Sequence, residues 1–138
     1  MHSKRELLTG FTIIELLVVV SIAALISSII LVQFQQTRSR AHDTEREGEI
    51  NSLQKALALY VINNRSYPIY SGPLTGVDIV SDTLINNEVI TQIPVDPINS
   101  GDYRYIYDST SGSTYTLTYY LETDSISGKT SGIQTIGP

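Results

Sequence analysis

Hydrophobic and polar positions divide the chain into stretches with different periods. Uncharged residues run without a break from Leu16 to Thr37, and apolar side chains dominate Leu16 to Val32, interrupted by Ser21, Ser27 and Ser28. As a helix rising about 1.5 Å per residue, the uncharged run is about 30 Å long, the thickness of a bilayer's hydrocarbon core. The serines can hydrogen-bond back to helix carbonyls or face a neighbouring helix. Polar and charged residues of both signs take over from Gln33 to Glu49, among them Arg38, Arg40, Asp43, Glu45, Arg46, Glu47 and Glu49. Ile50, Leu53, Leu57, Tyr60 and Val61 then recur at i, i+3, i+7, i+10 and i+11, an amphipathic stripe that needs a surface to cover. No proline precedes Pro68, and Gly48 is the one glycine between Gly10 and Gly72. The pattern predicts one long helix over residues 11–65, its membrane and assembly segment at residues 11–32, weakest at Gly48 and ended before Pro68, which disfavours the helical conformation at Tyr67.

Residues 66–138 read as a β-rich head. Pro68, Gly72, Pro73 and Gly76 mark a loop, and Val77 to Ile90 can hold a short helix capped by Ser81 or Asp82. Ile93-Pro94-Val95-Asp96-Pro97 is a rigid extended connector. Tyr103 to Tyr107 and Tyr115 to Glu122 alternate as strands around a turn at Asp108 to Ser113, with an edge strand expected from Thr130 to Ile136. Tyr115, Leu117, Tyr119 and Leu121 are expected to face the helix stripe. Tyrosine suits such a sheet, because the ring packs while the hydroxyl stays wet. The fold class is α+β: a long amino-terminal helix packed on a small antiparallel sheet.

Composition removes several functions. The 138 residues contain no cysteine, so there is no disulfide, thiolate metal site or cysteine nucleophile. Net charge is −5, and after Ser66 the acids face only Arg104 and Lys129, so no basic surface for direct nucleic-acid binding is expected. His2 and His42 are the two histidines, and His42 is read as solvated. No catalytic set or phosphate-binding loop can be assembled, which argues against an enzyme.

The amino terminus carries an address. Lys4 and Arg5 precede the apolar run and keep the amino terminus cytoplasmic. A plain single-pass anchor and a cleaved secretory signal both compete for this pattern. Gly10-Phe11-Thr12-Ile13-Ile14-Glu15-Leu16-Leu17 together resembles the class III signal of type IV pilins and pseudopilins. That resemblance implies a leader at residues 1–10, cut between Gly10 and Phe11 by a prepilin peptidase, with N-methylation of Phe11. It also implies that Glu15 of one subunit pairs with the Phe11 amine of another when an assembly platform draws subunits from the membrane into a homo-oligomeric helical filament. An acid in a membrane helix is costly, by about 2.5–3.5 kcal/mol on insertion scales, and needs such a partner.

Ser66-Tyr67-Pro68 and Ile93-Pro94-Val95-Asp96-Pro97 before a tyrosine-rich hairpin resemble the G-type major pseudopilin of type II secretion. Such subunits often hold calcium in a carboxyl-terminal loop. The comparable stretch here, Glu122 to Gly128, offers Asp124 as the candidate ligand, although a hydrated turn is the simpler role for it; no other cofactor is expected. The expected location is the bacterial cytoplasmic membrane with the head outside, then an extracytoplasmic or cell-surface filament. The rival reading is an uncleaved, membrane-anchored extracytoplasmic binding module.

Overall fold

The computed structural model describes residues 10–138, apart from the side chains of Leu31 and Val32. Of the leader expected at residues 1–10, all but Gly10, including Lys4 and Arg5, lies outside the described residues. The elements are α1 (Ile13–Asn64), β1 (Tyr70–Pro73), α2 (Ile79–Asn86), β2 (Ile106–Ser109), β3 (Thr116–Leu121) and β4 (Gly132–Ile136). The strands form one antiparallel sheet in the order β1-β2-β3-β4. The chain divides into two compact units after Thr37.

In the first unit, α1 satisfies its own backbone, as a hydrocarbon environment demands. Its serines add bonds to the same backbone: Ser21 Oγ donates to the Leu17 carbonyl, Ser27 Oγ to Ala23 and Ser28 Oγ to Leu25, each at 2.8 Å.

In the second unit, the later turns of α1 lie on the inner face of the sheet. Ile50, Leu53 and Leu57 of the expected stripe are buried, with Ala56 beside them and Tyr60 packed at the edge. Tyr115, Leu117, Tyr119 and Leu121 are all buried opposite, as the period of two requires. Tyr107 stacks on Tyr115 at 6.0 Å between centroids, and Tyr67 meets the Tyr115 ring edge-on at 4.8 Å.

Several boundaries differ from the sequence expectation, each for a local reason. α1 stops at Asn64 because Arg65 turns left-handed (φ 61°), three residues before Pro68, with the Arg65 N–H on the Val61 carbonyl at 2.8 Å. α2 is capped by Asp78, not Ser81 or Asp82. Asp78 is extended and accepts the Ser81 N–H at 2.9 Å. The helix then closes with Glu88 left-handed (φ 56°) and the Val89 N–H reaching back to the Leu84 carbonyl, so Val89 and Ile90 follow the helix.

Residues 70–73, read as loop, form β1. It is an edge strand ending at Pro73, where a missing N–H is tolerated. It pairs Tyr70 with Ser109 and Ser71 with Asp108, so the strand expected at 103–107 shifts to Ile106–Ser109. Tyr103 instead closes a tight turn, donating its N–H to the Ser100 carbonyl at 3.1 Å.

The tyrosine hydroxyls are not all wet. Tyr105 and Tyr107 are fully buried. Tyr105 donates to Glu49, and Tyr107 donates to the Pro68 carbonyl at 2.7 Å.

Gly112 joins β2 to β3 at φ 73°, its carbonyl accepting the Tyr67 N–H at 2.8 Å, and an added Cβ would sit 3.1 Å from the Tyr67 oxygen. Gly112→Ala is expected to cost about 1–2 kcal/mol from the left-handed backbone alone. The check is a lower melting temperature in near-UV circular dichroism, where all nine tyrosines report; an unchanged midpoint contradicts it.

Candidate functional site

Gly10, Phe11 and Thr12 precede the first turn of α1 in non-helical backbone. Thr12 caps the helix: its hydroxyl accepts the Glu15 N–H at 3.3 Å and faces Glu15 Oε2 at 3.4 Å, while the Leu16 N–H bonds the Thr12 carbonyl at 3.2 Å. Thr12-Ile13-Ile14-Glu15 thus carries the Thr-x-x-Glu spacing of a capping box. The acid sits where the first free N–H groups and the helix dipole favour a negative charge. This local signal was readable in the sequence beside the membrane-helix argument.

Around Glu15 the unit is apolar on every face. Phe11 is 76% exposed and Ile13 86%, and Leu16, Leu17, Ile22, Leu25, Ile29 and Phe34 are likewise exposed. α1 is the one helix among the described residues long and apolar enough to cross a membrane, and none of its apolar window is buried. Such a surface requires lipid or other helices around it.

The second unit contains a buried charged cluster. Arg46 is completely buried, as is Asp43. The guanidinium grips Asp96 with two bonds, Nε to Oδ2 at 2.7 Å and Nη2 to Oδ1 at 3.1 Å. Nη1 reaches Asp43 Oδ1 and Glu122 Oε1, both at 2.9 Å. The Tyr103 ring lies beneath, 5.0 Å from Arg46 Cζ to centroid. Asp96 comes from the proline-bounded connector and Glu122 directly follows β3, so one cation ties α1 to two distant segments.

Glu122 also accepts from Ser39 Oγ at 2.8 Å and lies 3.0 Å from His42 Nδ1. His42 is therefore engaged rather than solvated. A signal existed for the cluster. Asp43 and Arg46 continue the spacing of Ile50, Leu53 and Leu57 toward the amino terminus, on the face the stripe already defined.

Burial by itself disfavours the Asp96 anion, but the Arg46 bonds and the Ile98 N–H outweigh it and hold the carboxyl below the usual aspartate range. Glu122 is lowered in the same way, burial being outweighed by Ser39, Arg46 and His42. Glu49 is shifted the other way, raised by burial.

Asp124 is exposed, and its Oδ1 accepts the Ser131 N–H at 2.6 Å. No group of three or more His, Cys, Asp or Glu side chains able to share a metal ion occurs among the described residues.

A long helix, apolar and unburied at its start, whose later turns pack on an open four-stranded antiparallel sheet defines a pilin-like α+β fold. The curated relatives of the chain are a type IV pilin and type II secretion core proteins, the groups that its amino-terminal residues resemble. It is 38% identical over 58 residues to the type IV wide pilus major component PilA4 of Thermus thermophilus, covering 42% of this chain and 44% of that protein. The matched part of this chain therefore spans less than half the length of that relative. It is 28% identical over 117 residues to type II secretion system core protein G of Pseudomonas aeruginosa, covering 79% of this chain and 80% of that one. The corresponding core protein G of Vibrio cholerae is 26% identical over 118 residues, 80% of this chain and 78% of that one. No family model and no solved structure matches the chain.

Arg46→Met keeps the volume but strands buried carboxylates. Breaking a buried pair costs about 3–5 kcal/mol, a large share of a domain stability of about 5–15 kcal/mol. A clear fall in the near-UV melting temperature is expected, and a shift of only a degree or two refutes it.

The same carboxylates set an acid limb. Asp96 and Glu122 have folded pKa values below their unfolded ones, so their contribution is present above about pH 4–4.5 and is lost as pH falls through the folded values. Glu49 has the opposite sign. Below about pH 4, the wild type should lose melting temperature more steeply than Asp96→Asn, which starts lower; parallel curves would dissociate Asp96 from the limb.

Proposed function

We propose that this chain is a structural subunit of a helical filament, a type IV pilus or a type II secretion-like pseudopilus, and not an enzyme. The observation that carries the reading is the first unit: an apolar helix unburied on all sides, with one acid, Glu15, in its capped first turn. The relatives add weight, since their names describe a pilus component and secretion core proteins. In this reading a prepilin peptidase cuts between Gly10 and Phe11 and the new amino terminus is methylated. Glycine before the cut lets an enzyme draw the backbone close, and open space surrounds the place a Cβ would occupy.

Cleavage creates the partner that Glu15 lacks. A positive amine on Phe11 appears one turn before the acid. When an assembly platform moves the subunit from the cytoplasmic membrane into an extracytoplasmic or surface filament, both charges enter a dry bundle. An unpaired charge there is strongly destabilising, so Glu15 of one subunit takes the Phe11 amine of another and sets the axial register. Apolar helix packing supplies the assembly energy. The acidic head leaves nucleic acid to other partners.

Two measurements test this. Mass spectrometry of the mature protein is expected to find a methylated Phe11 at the amino terminus; an intact Met1 indicates the uncleaved anchored binding module instead. Glu15→Gln is expected to insert in the membrane normally while its fibre yield collapses, and normal yield would sink the register role.

A further inference from the structure

The stretch that the pseudopilin resemblance marks for calcium, Glu122 to Gly128, lies in the loop of residues 122–131, and its acids are already spoken for. Calcium takes about six to eight oxygens, several from carboxylates. Asp43 accepts the Glu122 N–H at 2.9 Å, the Thr123 N–H at 2.8 Å and the Thr123 hydroxyl at 2.7 Å, besides its bond from Arg46. Glu122 is held by Ser39, Arg46 and His42. Asp124 closes the segment on itself through the Ser131 N–H. These residues do not fit a calcium site.

The loop carries a cation of its own, an ammonium. Lys129 Nζ lies 2.8 Å from Glu47 Oε1, 2.7 Å from Glu47 Oε2 and 2.6 Å from Tyr119 Oη. Three donors meet three acceptors, the full hydrogen-bonding capacity of a lysine. The Tyr119 hydroxyl in turn donates to Glu47 Oε2 at 3.1 Å, which closes the triangle. Nζ also sits 5.3 Å from the centroid of the Tyr119 ring. The groups are mostly shielded, Lys129 at 24% and Glu47 at 27% side-chain exposure. Burial works against the lysine charge, yet the Glu47 and Tyr119 bonds outweigh it and raise Lys129 above the ordinary lysine range.

We propose that Lys129 is the resident cation of this loop: its ammonium, bound by Glu47 and Tyr119, fastens residues 122–131 to α1 in place of a divalent metal ion. The loop's order then depends on Lys129 and is indifferent to calcium. This rests on the second unit alone and stands whether or not the chain forms filaments.

The test uses the full chain in detergent micelles. Wild-type near-UV melting in calcium chloride on the order of 1 mM, the range of extracellular calcium modules, is expected to match melting in excess EGTA. In Lys129→Met, amide hydrogen exchange at Thr123 and Ser131, whose N–H groups are bonded to Asp43 and Asp124, should speed up by about fivefold or more with both media again alike, while amides of α2 keep their wild-type rates. Glu47→Gln removes the other half of the pair and should loosen the same amides, which provides a second route if Lys129→Met fails to fold. A calcium-dependent rise in the wild-type melting temperature that disappears in Asp124→Ala overturns the proposal and puts the metal at Asp124. Wild-type exchange rates in both variants overturn it equally.

Discussion

The buried guanidinium of Arg46 is the constraint on which the second unit depends. A helix and a four-stranded sheet bury one apolar stripe between them, but that stripe ends at Ile50. Toward its amino terminus the contact continues in charges: Asp43 and Arg46 take the same face and are equally buried. A buried ion group adds little net stability when desolvation is counted. Its effect is geometric. Arg46 can satisfy its donors only with Asp96 and Glu122 in place, so the connector and the end of β3 have one seat on α1. No buried side-chain polar atom among the described residues lacks a partner.

The tyrosines extend the same logic into the sheet. Tyr105, Tyr107 and Tyr119 carry their rings into the core, and each hydroxyl finds a partner on Glu49, Pro68 or Glu47. Glu47 and Glu49 belong to the polar-looking stretch before the stripe. That stretch is therefore half interior: His42, Asp43, Arg46, Glu47 and Glu49 face the head, while Arg40, Thr44 and Glu45 are exposed. Polar contacts of this kind fix position where apolar ones tolerate sliding, because leaving a buried donor or acceptor unpaired costs about 1–3 kcal/mol.

α1 belongs to two environments in one continuous element. Its first unit offers apolar side chains on all faces and satisfies its backbone internally. Its later turns expose one face and bury the other. The capped first turn reconciles Glu15 with the apolar unit, since Thr12 and the free N–H groups of the helix start give the acid a favourable place before any partner arrives.

Local chemistry determined the long helix, its apolar start and the inward set Tyr115, Leu117, Tyr119 and Leu121, since each follows from an uninterrupted period. It did not determine β1, hidden behind Gly72 and Pro73, because an edge strand is defined by pairing with a segment distant in the chain. Nor did it place β2, whose register follows from that pairing. Nor did it single out Arg46, because no property of arginine distinguishes a solvated guanidinium from one clasped by Asp96 and Glu122, which lie far away in sequence. Only the tertiary structure brings those carboxylates together, and the same holds for Lys129 and Glu47: period and motif are written locally, whereas the partner that makes a charge worth burying is chosen by the fold.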